Sequence, residues 1–101
     1  MEIETILEKC TNDTIEVTQH VLMRFHQRNI SYAEVKEVIK NGEIIEDYPN
    51  DYPYPSCLIL GKTAEGRILH TVVGLSETKL WIITAYEPDA EQWTEDFKTR
   101  K

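Results

Sequence analysis

Three apolar blocks in the second half of the chain set the pattern: Leu58-Ile59-Leu60-Gly61, Gly66-Arg67-Ile68-Leu69-His70-Thr71-Val72-Val73 and Leu80-Trp81-Ile82-Ile83-Thr84-Ala85-Tyr86. They are rich in β-branched and aromatic residues. The breaker clusters Thr63-Ala64-Glu65-Gly66 and Ser76-Glu77-Thr78 separate them, so the stretch predicts a three-stranded antiparallel meander. Period-two alternation places Ile68, His70 and Val72 on one face of the middle strand, and Leu69, Thr71 and Val73 on the other. Glu43 to Tyr48 alternates more weakly and predicts an edge strand whose acids discourage pairing with another sheet. Between the two lies Pro49-Asn50-Asp51-Tyr52-Pro53-Tyr54-Pro55. Its prolines cannot donate to a ladder, so it predicts a stiff surface loop.

The first half reads as helices. Ile3, Ile6 and Leu7 follow an i, i+3, i+4 pattern within a short helix over Glu2–Lys9. The polar cluster Thr11-Asn12-Asp13-Thr14 ends it, and Ile15-Glu16-Val17 predicts a short strand. Thr18 is placed to cap a second helix over Gln19–Arg28, with Val21, Leu22 and Phe25 on its apolar face and Asn29 as its stop. Ser31-Tyr32-Ala33-Glu34 matches a capping box opening a third helix over Tyr32–Lys40, which buries Tyr32, Val35, Val38 and Ile39. Asn41-Gly42 predicts a left-handed cap at its end. After Pro88, Asp89–Phe97 predicts a final helix turning Trp93 and Phe97 back onto the core. The expected architecture is a single α+β domain over residues 1–101, an antiparallel sheet of about four strands with helices packed on one face.

Composition narrows the function classes. The 101 residues carry 11 Lys and Arg against 18 Asp and Glu, a net charge of −7. Nonspecific nucleic-acid binding draws its affinity from neutralising phosphates, so this balance opposes it unless a local basic patch exists. The acids concentrate at Glu43, Glu46, Asp47 and Asp51, while Lys98, Arg100 and Lys101 form a basic tail. No apolar run approaches the ~18–20 residues that cross a bilayer, and the acidic start Met1-Glu2-Ile3-Glu4 is wrong for a signal peptide, so a cytoplasmic location is expected. In that setting Cys10 and Cys57, far apart and without a Cys-x-x-Cys arrangement, are expected as two buried thiols. No nucleotide-binding or serine-hydrolase motif is present, and the three histidines lack metal-ligand spacing; no cofactor or metal is expected.

Two elements carry candidate chemistry. His20, Arg24 and Arg28 recur at i, i+4, i+8 along the second helix, a proton-transfer group beside two guanidiniums; the same spacing also serves an ordinary solvated face. His70 sits mid-strand in apolar company and needs a polar partner if buried. It is either a core histidine satisfied by a backbone carbonyl or an acid/base group. Depending on register it faces Thr84, Ala85 or Tyr86. Packing the second helix across the meander would join His20, His70, Arg24 or Arg28 and Tyr86 into a set able to cleave RNA without metal.

The motifs Thr18-x-His20, Arg24-x-x-x-Arg28-x-Ile30-Ser31-x-x-Glu34-Val35, Gly42-Glu43-Ile44-Ile45-Glu46-x-Tyr48-Pro49, Gly66-Arg67-x-Leu69-His70-x-Val72 and Ile83-Thr84-x-Tyr86-x-Pro88 with Trp93 together resemble the DUF4258 family of small bacterial proteins, over about residues 15–97. Members of that family are often encoded beside antitoxin-like proteins. The order of elements is in turn similar to the RelE/ParE/BrnT superfamily of toxins, many of which cleave mRNA. The resemblance implies a toxin-like, metal-independent endoribonuclease with an antitoxin partner and an RNA substrate. In it His20, His70 and Tyr86 act on protons, and Arg24, Arg28 and Thr84 hold the substrate. The acidic charge departs from the basic character of ribosome-dependent toxins. The alternative from the residues alone is a noncatalytic module that binds a basic partner through the acidic, tyrosine- and proline-rich loop at Asn50–Tyr54.

Overall fold

The computed structural model describes all residues, 1–101. Its elements run α1 (Ile3–Glu8), β1 (Ile15–Glu16), α2 (Gln19–Gln27), α3 (Tyr32–Asn41), β2 (Glu43–Tyr48), β3 (Ser56–Lys62), β4 (Ile68–Leu75) and β5 (Leu80–Tyr86). The strands form one sheet in the order β1-β5-β4-β3-β2. Strands β2 to β5 are antiparallel, as the meander and the alternating edge segment predict, but β1 joins β5 in parallel. The sheet is therefore five-stranded and mixed rather than a four-stranded antiparallel one. Ile15 and Glu16 pair with Leu80 and Trp81, a long-range contact that a two-residue segment cannot advertise.

Local chemistry explains where the helices begin. The Thr18 hydroxyl accepts from the Val21 amide at 3.2 Å. At α3 both halves of the capping box form: Glu34 N–H donates to the Ser31 hydroxyl, and Ser31 N–H to the Glu34 carboxylate. Asn29 ends α2 in the left-handed region at φ 56°, which a short polar side chain tolerates. Gly42 differs from expectation. Its backbone is extended, and it is required by proximity instead: a Cβ there would lie 2.5 Å from the Val38 carbonyl oxygen and 2.6 Å from that of Leu60.

The register separates the two faces of the sheet. One carries Ile44, Ile59, Thr71 and Ala85 in one row and Asp47, Cys57, Val73 and Ile82 in the next. The helices cover this side: Phe25 of α2, Val35, Val38 and Ile39 of α3, and Ile6 of α1 join Ile59, Leu69, Val73, Ile82 and Ala85 in one core. The second face carries the rows Glu43–Leu60–His70–Tyr86 and Glu46–Leu58–Val72–Thr84. Two β-bulges make this possible, at Ile45 in β2 and Ile83 in β5, because each shifts the alternation by one residue. The predicted C-terminal helix does not form. Residues 87–101 run as turns with one isolated bridge, Trp93 to Arg100, and lie over the second face, where Trp93 is buried. A span of only a few apolar residues among Asp89, Glu91, Glu95 and Asp96 supplies no helical stripe to bury.

No helix is long and apolar enough to cross a membrane. Cys10 and Cys57 are both free and buried, and burial pushes the Cys57 thiol up to about 12.

Candidate functional site

The convergence expected of the two histidines does not occur. His20 stands exposed at the start of α2, on the helical side of the sheet. His70 points from β4 to the second face and is 0% exposed, so the sheet itself lies between the two rings. The physical reason is alternation: once Leu69 and Val73 face the helices, His70 must face away.

His70 has two partners. Its Nε2 lies 2.8 Å from the Phe97 carbonyl oxygen, and its Nδ1 3.3 Å from the Tyr86 hydroxyl. A carbonyl only accepts, so Nε2 carries the proton, and Nδ1 accepts from the phenol. The Trp93 ring meets the imidazole edge-on with centroids 4.5 Å apart, and Tyr86 does so at 5.4 Å. Burial pulls the His70 pKa below its ordinary value and pushes that of Tyr86 above its own, so both groups are held neutral. This is the satisfied core histidine weighed against the acid/base group, with a phenol added.

Around that pair sits a network that reading the chain in order missed. The Arg100 guanidinium stacks over Trp93 at 4.6 Å and donates twice to Glu46, at 3.0 and 3.1 Å. Those bonds hold the Glu46 carboxyl below its usual range, and Tyr48 donates its hydroxyl to the same group. Lys98 reaches Glu43 at 2.8 Å. The acids of β2 and the basic tail were each visible in the sequence. Only the bulge at Ile45, which puts Glu43 and Glu46 on one face, lets the tail engage both.

The remaining predicted residues divide. Arg28 leaves the end of α2 and donates to the Thr84 hydroxyl at 3.1 Å and the Ala85 carbonyl at 2.9 Å. Since β1 pairs only with Leu80 and Trp81, the rest of β5 is an open edge, and Arg28 occupies part of it. Arg28, Thr84 and Tyr86 are thus brought to one strand end, where the Arg28 charge is felt by the phenol. Arg24 is exposed and engages nothing. Arg67 does structural work that its motif position did not suggest: it bonds the Asn29 and Arg28 carbonyls, Glu34 and Glu87, tying the elbow between α2 and α3 to the end of β5.

The acidic tyrosine loop presents a different surface. Tyr52 is 91% exposed, and Tyr54 stacks on Trp81 with centroids 6.0 Å apart. With Asp51, Pro53, Gly74 and Ile83 these rings line a recess of about 260 Å³. Asp51 accepts from the Ser56 hydroxyl at 2.6 Å and from the Tyr52 amide at 2.9 Å, which fixes the loop at its base. Trp81 Nε1 is buried there without a hydrogen-bond partner. No group of three or more His, Cys, Asp or Glu side chains is gathered as a metal site.

No curated protein and no solved structure matches the chain. A family described only as a domain of unknown function, DUF4258, matches residues 17–87, from the residue after β1 to the residue after β5. By that match, which spans well over half of its length, this chain belongs to the DUF4258 family.

Proposed function

We propose that this protein is a noncatalytic interaction module that takes a basic partner protein on the loop at Asn50–Tyr54. The observation that carries the reading is the Tyr52–Tyr54–Trp81 recess, an aromatic surface whose Tyr52 side chain, at 91%, is the most exposed of the large hydrophobic residues. Rigid aromatic side chains bind at low entropic expense, and a proline-braced loop is already ordered before a partner arrives. The charge of −7 steers cationic surfaces toward the protein. The test is binding of a basic protein encoded in the same gene neighbourhood. Complex formation should survive His20→Ala with His70→Gln and fail with Tyr52→Ala and Tyr54→Ala together; the reverse pattern refutes the reading.

A second reading, a toxin-like endoribonuclease held in check by an antitoxin, is favoured by one arrangement. Arg28, Thr84 and Tyr86 meet at a strand end, and Arg24 is one helical turn away. The succession of short strand, helical hairpin and meander supports the RelE-like comparison. In this version Tyr86, hydrogen-bonded to His70, is the proton-transfer group at the strand end that Arg28 reaches, and His20 stands one turn before Arg24 on α2. RNA cleavage or growth arrest that is abolished by Arg28→Ala or Tyr86→Phe in folded protein would establish it. Wild-type protein without either effect would eliminate it.

A further inference from the structure

A glycine inside a strand weakens it, and it marks a bulge, a bend or the close approach of another group. Gly74 lies within β4 between Val73 and Leu75, paired with Ser56 on one side and Trp81 on the other. Neither its backbone nor crowding demands it. Its φ is not in the left-handed region, and an added Cβ would meet Ile83 Cδ1 at 3.3 Å, the Pro55 carbonyl oxygen at 3.7 Å and Trp81 Cβ at 3.8 Å. What the missing side chain leaves is open space in the recess that Tyr52, Tyr54 and Trp81 line. The row Tyr48–Ser56–Gly74–Trp81 carries the second face of the sheet past its C-terminal cover into this recess, and no residue of 87–101 lines it.

The lining has the chemistry of a cation site. Three electron-rich rings and the exposed Asp51 contribute to it, and no Lys, Arg or His does. No ion pair reaches Asp51. Its Oδ1 accepts from the Tyr52 amide and its Oδ2 from the Ser56 hydroxyl, both neutral donors. A carboxylate offers about four lone-pair sites, so a free site remains on each oxygen. A guanidinium fork fills that pattern with two parallel N–H bonds. Aromatic faces attract the same group, which sheds water more readily than an ammonium does. At about 260 Å³ the recess falls below the ~300–1,000 Å³ of small-molecule pockets and suits one side chain. We infer that the recess is the receptor for a single arginine side chain of the basic partner, its guanidinium bonded to Asp51 and stacked on the rings, with Gly74 leaving the room it needs. This inference rests on the proposed role of the loop and names the group that the loop recognises.

The test titrates the isotope-labelled full chain, followed by amide NMR, with acetyl-Gly-Arg-Gly-amide. The same peptide with citrulline, which keeps the shape and loses the charge, is the control. The arginine peptide should bind saturably in the millimolar range. It should shift the Asp51, Tyr52 and Tyr54 amides and the Trp81 indole N–H, which has no partner of its own, and leave the Trp93 indole in place. Citrulline in place of arginine, or Asp51→Asn in the protein, should weaken binding at least about tenfold, since a charge-assisted pair is lost. Gly74→Val should abolish it by filling the space. Equal binding of the two peptides, full affinity in Asp51→Asn, or shifts confined to other surfaces would each overturn the inference. The citrulline comparison needs no variant and decides the matter if Gly74→Val does not fold. A basic neighbour-encoded protein that binds Asp51→Asn as tightly as wild type, but not the Tyr52→Ala and Tyr54→Ala double variant, would leave the loop's role standing and overturn the arginine site alone.

Discussion

Replacing His70 with alanine should behave as a core lesion. The ring is fully buried, and its removal leaves the Phe97 carbonyl without its donor and Tyr86 without its acceptor. An orphaned buried polar group costs about 1–3 kcal/mol. The edge-on contacts with Trp93 and Tyr86 contribute about 0.5–1.5 kcal/mol each beyond simple burial. Tyr86 and Phe97 are only half-buried, so the lower end of each range applies and the total expected loss is on the order of 3–4 kcal/mol, a large part of the ~5–15 kcal/mol that holds a domain of this size together. At ~4–8 °C per kcal/mol, the melting temperature should fall by more than ~12 °C. His70→Phe restores the ring without its nitrogens and should recover about half of that loss. His20→Ala, on an exposed site without partners, should stay within ~0.5 kcal/mol of wild type. Urea unfolding followed by far-UV circular dichroism measures all three. If His70→Ala lies within ~1 kcal/mol of wild type, the histidine is not a structural element and the reasoning fails.

Because burial lowers the His70 pKa on folding, its contribution to stability is fully present above the ordinary value of 6.5 and is lost as pH falls through the folded value. Below that, Glu34 and Glu46, held down by the Ser31 amide and by Arg100 respectively, lose their contributions as pH drops beneath 4.5. Unfolding free energies measured from pH 7.5 to 3.5 should therefore decline in two stages, and His70→Phe should flatten the first. Gly61→Ala should destabilise by ~2 kcal/mol or more in denaturant titration, since the added Cβ would sit 2.6 Å from the Val38 carbonyl oxygen in a packed helix–sheet contact. Cys57, buried with its thiol near 12, should resist a disulfide reagent at pH 8 in the native protein and react at once in 6 M guanidinium; rapid native labelling of that residue would contradict its placement.

Much of the fold was legible because its signals are local. The cap at Thr18, the box at Ser31 and Glu34, the stop at Asn29 and the alternation through β4 each depend on neighbours within four residues. The alternation even stated which face His70 shares with Ile68 and Val72. What it could not state is which of the two faces the helices would choose, and that choice alone separated His20 from His70. Arg28 and Thr84 were recognised by motif and do meet, but the same contact shows that Arg28 guards an open strand edge.

The sequence by itself determined the three helices of the first half, the four long strands, the buried thiols and the family, because propensity, capping and periodicity are written within single segments. The tertiary structure decided the parallel pairing of β1, the two bulges, and the fate of residues 87–101. The first and last draw on contacts between distant residues, such as Ile15 with Leu80 and Arg100 with Glu46, and the bulges on pairing between neighbouring strands; for all of them the chain carries charge and apolarity but no local mark of the partner.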